Sequence, residues 1–168
     1  MKHWLLGCLA FAMVPLGSCR GSSKEAQELF VVAVKITDGD TFVGRGQGMN
    51  WKVRLRGIDA PERGQDFSKR SREMLGELCN AAPLRLRLIN KDGFGRWVAD
   101  VYDRNGRHIN AEMVATGMAW HFRKYSQDPE LERLEQIARN ARRGLWSIPQ
   151  PTPPWEYRAQ RRATRKRS

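Results

Sequence analysis

Cysteine and histidine are scarce, with three of each in 168 residues. Cys8, Cys19 and Cys79 have no metal-ligand spacing, which argues against a zinc site and against a disulfide framework. His3 lies in the N-terminal targeting segment, and His108 and His121 stand alone with structural or solvated roles. No Ser/His/Asp triad therefore has a recognisable setting. A Gly-rich phosphate loop and internal repeats are both missing. The single long apolar run, Trp4 to Leu16, has about 13 residues, and a bilayer span needs about 20. Acids are few: 18 Asp and Glu stand against 30 Lys and Arg.

What is present points to one basic globular domain with extras at its ends. The length suits a single domain. Hydrophobic residues make up 40% and charged residues 29%, a globular balance. A net charge of +12 favours a polyanionic partner, nucleic acid first and anionic lipid second. The short basic start and the apolar run from Trp4 form the n- and h-regions of a secretory signal. Leu16-Gly17-Ser18-Cys19 then resembles a bacterial lipobox, in which Cys19 takes the lipid and becomes the new N-terminus. Residues 1–18 are thus expected to be a lipoprotein signal and residues 19–28 a polar tether. The expected location is the cell envelope, outer-membrane or periplasm-facing, with secretion if the lipobox is not used. Cys79 sits on an apolar helical face, the setting of a buried structural thiol.

The body reads as short strands with a few helices. Leu29 to Ile36 is rich in branched residues, and Asp38-Gly39 is a turn signal before a second strand at Thr41-Phe42-Val43. Gly44 to Asn50, with three glycines, is expected to be a loop. Trp51 to Gly57 alternates apolar and basic residues as a third strand with one wet, positive face. Strands four and five follow at Leu84–Ile89 and Arg96–Tyr102. Residues 66–79 place Phe67, Met74, Leu75, Leu78 and Cys79 near one helical face. Asn110 can cap a short helix ending at Gly117. Asp128-Pro129-Glu130 combines a cap, a first-position proline and a first-turn acid. Leu131, Leu134, Ala138, Ala141 and Leu145 then form its buried stripe. Six of the last eleven residues, 158–168, are Arg or Lys without apolar periodicity. That composition predicts a disordered tail that grips polyanions or improves solubility. Five strands in a basic chain suggest an OB-type barrel.

The residues suited to chemistry are acids and arginines. Asp38 and Asp40 flank Gly39, and Asp59 and Glu62 surround Ala60-Pro61. Oxygen ligands grouped in loops suit a hard cation. Arg54 and Arg96 lie in or beside strands, and a guanidinium can grip two phosphate oxygens at once. Taken singly, each acid is better read as a turn former or ion-pair partner, and each arginine as a solvated strand residue.

Together, Thr37-Asp-Gly-Asp-Thr41, Val53-Arg-Leu-Arg-Gly-Ile-Asp-Ala-Pro-Glu62 and Asp92-Gly-Phe-Gly-Arg96 resemble the staphylococcal nuclease family. Gly117-Met-Ala-Trp120, Gly144-Leu145-Trp146 and Pro153-Pro154-Trp155-Glu156 extend the likeness, from about Val31 to Arg158. The resemblance implies a mainly β, α+β fold: a five-stranded OB barrel with about three helices, here spanning residues 29–157. It implies a monomeric, Ca²⁺-dependent endonuclease acting on DNA and RNA with low sequence specificity. By motif, Asp40, Asp59 and the backbone carbonyl of Ala60 would hold Ca²⁺, with Asp38 supporting through water. Glu62 would be the general base, and Arg54 and Arg96 would clamp the scissile phosphate. Where the family's reference member has lysine and tyrosine, this chain has Gly93 and Phe94, and Phe94 can stack on a base without donating a hydroxyl. Arg56 replaces an apolar family residue and either adds phosphate affinity or faces solvent. A noncatalytic nucleic-acid-binding barrel and a structural envelope lipoprotein are the competing readings. Neither explains the ordered set of acids and arginines.

Overall fold

The computed structural model describes residues 28–166. The signal segment, Cys19 and nearly all of the tether lie outside the described residues. Five strands close into a barrel: β1 (Glu28–Ile36), β2 (Thr41–Gly46), β3 (Met49–Leu55), β5 (Leu84–Lys91) and β6 (Trp97–Tyr102), in the order β1-β2-β3-β6-β5 with β5 returning to β1. A two-residue strand β4 (Ile58–Asp59) pairs with β7 (Trp120–His121) outside the barrel. The helices are α1 (Ser68–Cys79), α2 (Ile109–Ala115), α3 (Pro129–Asn140) and α4 (Pro154–Arg165), with a 3₁₀ turn at Gly144–Ser147. This is the expected OB-type barrel, with one helix more than expected.

Alternation in the strands sends one residue set inward. Leu29, Val31, Phe42, Val53, Leu55, Leu84, Leu86, Leu88, Ala99 and Val101 are all buried. The expected loop from Gly44 to Asn50 is instead strand and hairpin. β2 and β3 pair from Thr41↔Arg54 to Gly46↔Met49 across a two-residue turn. Gln47 and Gly48, at φ 49° and 75°, make the turn whose twist matches the strands. β3 and β6 run parallel, which brings Arg54 beside Val98 and places the start of β6 near the turn after β1.

The helices close one end. Leu75, Leu78 and Cys79 of α1 join Ile109, Met113 and Val114 of α2 and Leu131 of α3 in the main core. Burial pushes the Cys79 thiol up to about 12, so it packs as an apolar group. Asn110 does not cap α2. The cap position is His108, and Asn110 lies inside the helix, buried. Its Oδ1 accepts from the Val101 amide at 3.0 Å, and its Nδ2 donates to the carbonyls of Arg56 and Ala99 at 3.0 and 3.2 Å. Asp128 does cap α3: its side chain accepts from the Glu130 amide at 2.9 Å. Of the expected stripe, Leu131 and Ala138 are buried and Ala141, just past the helix end, is exposed. Glu135 of α3 is fully buried. It accepts from the His121 amide at 3.1 Å and pairs with Arg123 at 2.9 Å.

The basic C-terminal segment is helical through Arg165, which corrects the expectation of a disordered tail. Its anchor is aromatic. Trp155 stacks on Phe122 with ring centroids 5.2 Å apart and meets Trp120 edge-on at 5.6 Å. Pro154 is buried and starts the helix, where its missing N–H costs nothing. The expected boundary between residues 157 and 158 falls inside this helix.

Candidate active site

The acids and arginines singled out in the sequence converge on one side of the barrel. Three turns build the place. After β1 the chain reverses, with the Thr37 amide donating to the Thr41 carbonyl at 2.9 Å. Asp38 accepts from the Asp40 amide at 3.1 Å, the short Asx contact of such turns. Gly39 lies flat under α1: a Cβ there would sit 1.8 Å from the Ser71 hydroxyl. Only glycine allows Asp40 to be carried this close to the helix. The second turn follows β4, which brings Asp59, Ala60 and Glu62 alongside. The third is Asp92–Arg96, whose loop Asp92 braces by accepting from the amides of Phe94 and Arg96 at 2.9 and 3.0 Å.

A continuous chain of polar contacts joins these turns. The Arg96 guanidinium donates through Nε to Asp92 at 2.7 Å and through Nη1 to the Thr41 hydroxyl at 3.4 Å. Thr41 donates to Asp40 Oδ1 at 2.9 Å. Asp40 Oδ2 accepts from the Ala60 amide at 2.7 Å and pairs with Arg54 Nη1 at 2.7 Å. The other arm of Arg54 reaches Asp59 Oδ1 at 3.0 Å. Arg158 of α4, absent from the expected site, completes the chain. Its Nη2 lies 2.8 Å from Asp59 Oδ2, and its Nη1 lies 2.6 Å from Glu62 Oε1 and 3.2 Å from Asp59 Oδ1.

Electrostatically the pocket is short of positive charge. Asp38, Asp40, Asp59 and Glu62 face Arg54 and Arg158, while Arg96 is matched by Asp92. Burial, then the neighbouring Asp40 charge, raises the Asp38 carboxyl to about 7. Burial also raises Asp59, against the lowering pull of Arg158 and Arg54. Both shifts have the sign expected of buried carboxyls. Grouped carboxyl oxygens that outnumber their guanidinium partners are the donor type a hard divalent cation takes. Among the described residues no three His, Cys, Asp or Glu side chains form a ready metal cage. Asp40 and Asp59 point their oxygens at guanidiniums instead.

The remaining expected residues divide. Phe94 is 84% exposed at the tip of its turn, with the Arg96 guanidinium 5.4 Å from its ring centre. Arg56 donates through Nε to buried Asp100 at 2.8 Å, and its side chain is about a third exposed. His108 stacks on Tyr102 at 4.8 Å, and His121 is buried with Nε2 3.1 Å from the Ser126 carbonyl, both structural as expected. Arg158 escaped notice because its partners lie 96 and 99 residues away and it sits in a run of similar charges. The Pro153-Pro154-Trp155 segment before it was the available signal, since it fixes where that helix starts.

An OB-type barrel carrying three arginines among five carboxylates at one edge belongs to the class of phosphate-handling barrels. The match is more specific than that: residues 52–148 fit the family described as staphylococcal nuclease homologue, and the chain belongs to it. An Escherichia coli O157:H7 protein named as an uncharacterized endonuclease is 37% identical over 125 residues, covering 74% of this chain and 82% of that protein. A Haemophilus influenzae protein of the same description is 38% identical over 157 residues, 93% of this chain and 85% of its own. A probable staphylococcal-like nuclease of Oryza sativa subsp. japonica is 38% identical over 112 residues, 67% of this chain and 34% of its own.

Proposed function

We propose that the chain is a Ca²⁺-dependent endonuclease that hydrolyses phosphodiester bonds in DNA and RNA with little sequence preference. Membership of the nuclease family supports the reaction class. The observation that carries the finer reading is the unbroken contact chain from Arg96 through Asp40, Arg54 and Asp59 to Glu62. In this reading Asp40 and Asp59, with the Ala60 carbonyl and Asp38 behind them, hold the cation. When bound, it offsets charge building on the phosphate oxygens. Arg54 and Arg96 hold two nonbridging oxygens in fixed directions, which a preorganised guanidinium does without reorganisation. Glu62, about a third exposed, receives the proton of the attacking water. Phe94 offers a stacking face beside Arg96 for the adjoining base.

Attachment to the cell envelope through lipid on Cys19 is part of the same proposal, resting on the lipobox-like sequence. No helix of the described residues is long and apolar enough to cross a membrane. The decisive experiment is nicking of supercoiled plasmid in Ca²⁺ and in chelator, with Asp40→Ala alongside. Cleavage should need Ca²⁺ and vanish in the variant. Full turnover in excess chelator, or in Asp40→Ala, would end the reading.

A further inference from the structure

Two contacts tie the loop bearing Glu62 to the segment that follows the 3₁₀ turn. Arg158 pairs with the Glu62 carboxylate at 2.6 Å and holds Asp59 through both carboxylate oxygens. Gln65 accepts from the Glu62 amide at 2.8 Å through Oε1 and donates from Nε2 to the Thr152 carbonyl at 3.0 Å. Gly64, between them, packs so closely that a Cβ would lie 3.0 Å from the Tyr157 hydroxyl. The segment making these contacts is itself fixed, by Trp155 stacked on Phe122 and by buried Pro154. All of it lies beyond residue 148, where the family match ends.

We propose that Arg158 is a positioning residue of the active site, and that Thr152–Arg158 is a brace setting the direction of the Glu62 carboxylate. The inference rests on the proposed role of Glu62 as base. The physical need is plain. Glu62 follows Pro61 in a loop, and its side chain is partly exposed. A free glutamate there has several rotamers to lose. A charge-assisted hydrogen bond from a guanidinium anchored on Asp59 selects one of them before substrate arrives. Misplacing a catalytic group by about 1 Å can cost on the order of 100-fold in rate. Arg158 suits the task because its fork spans two carboxylates, which a single ammonium nitrogen does less well.

The test compares Arg158→Gln and Arg158→Lys with the unaltered chain, following kcat and KM on a single-stranded oligonucleotide in Ca²⁺. Hydrogen exchange of the amides at 62–68 is followed in parallel. Trp155 and Pro154 remain, so α4 keeps its anchor in both variants. Arg158→Gln should lower kcat by about tenfold or more, on the scale set by misplaced catalytic groups, with KM within twofold. Its loop amides should exchange several-fold faster. Arg158→Lys should recover part of both losses. Turnover equal to or above the unaltered chain in Arg158→Gln would overturn the inference, making the arginine a mere counter-ion of the acids. A rise in KM alone would overturn it too, by making Arg158 a grip on substrate phosphate. If the unaltered chain cut nothing, the proposed function would fail. Unchanged loop exchange would still sink the brace by itself.

Discussion

Arg54 is where loss of geometry at constant charge can be followed most directly, through Arg54→Lys. Its two arms span Asp40 at 2.7 Å and Asp59 at 3.0 Å, with the side chain only 13% exposed. A lysine nitrogen reaches one of these carboxylates and leaves the other. Losing one hydrogen bond to a charged group costs about 1.5–3 kcal/mol. At about 2–4 °C per kcal/mol for a domain of this size, the melting temperature should fall by roughly 3–12 °C. Catalysis should suffer separately. Donors aimed at developing charge are worth about 3–4 kcal/mol each, so turnover should drop by about 100- to 1,000-fold. The assay has two parts: thermal unfolding in chelator, and turnover on long DNA in Ca²⁺ about 20 °C below the variant's midpoint, a margin larger than the largest expected shift. A midpoint within about 1 °C of the unaltered chain would refute the structural part. Near-normal turnover would refute the clamp.

Asn110→Ala removes an acceptor for the Val101 amide and two donations to barrel carbonyls, so it should cost about 2–4 kcal/mol in denaturant unfolding, and less than 1 kcal/mol would mean the bridge is dispensable. Burial alone would raise the Asp100 carboxyl, but His108, 3.8 Å away, and the 2.8 Å hydrogen bond and charge of Arg56 outweigh it and hold the group below the usual carboxylate range. A depressed folded pKa means stability that is complete above about pH 4 and lost as pH falls through the folded value. Melting temperatures from pH 6 to pH 2 should therefore drop less steeply below about pH 4 in Asp100→Asn, and parallel curves would contradict the assignment.

What could be read from the sequence was what depends on near neighbours. Asp128-Pro129-Glu130 starts its helix because cap, proline and acid act within one turn. The strands of the barrel showed through alternation, since the inward set from Leu84 to Leu88 recurs at every second residue. The same logic misled at Asn110, whose side chain turns to β6 and to the Arg56 carbonyl rather than to its own helix. Glycines at 44, 46 and 48 suggested a loop, but only Gly48 turns. Gly44 and Gly46 sit in β2 against β1, where a Cβ would meet Val31 or the Phe30 carbonyl. The buried Glu135 of α3 gave no signal in the sequence, because its partners come from the loop around β7. The acids and Arg54 and Arg96 were found as an ordered set. Arg158 was not, because charge composition is blind to where a helix is docked.

The brace also divides folding in time. The last barrel strand ends at Tyr102, and Arg158 follows 56 residues later in α4. At about 5–20 residues per second that is an interval of about 3–11 s. During it a nascent barrel can close with its acidic loop unrestrained. Docking of α4 is the step that then brings the Arg158 contacts to Asp59 and Glu62.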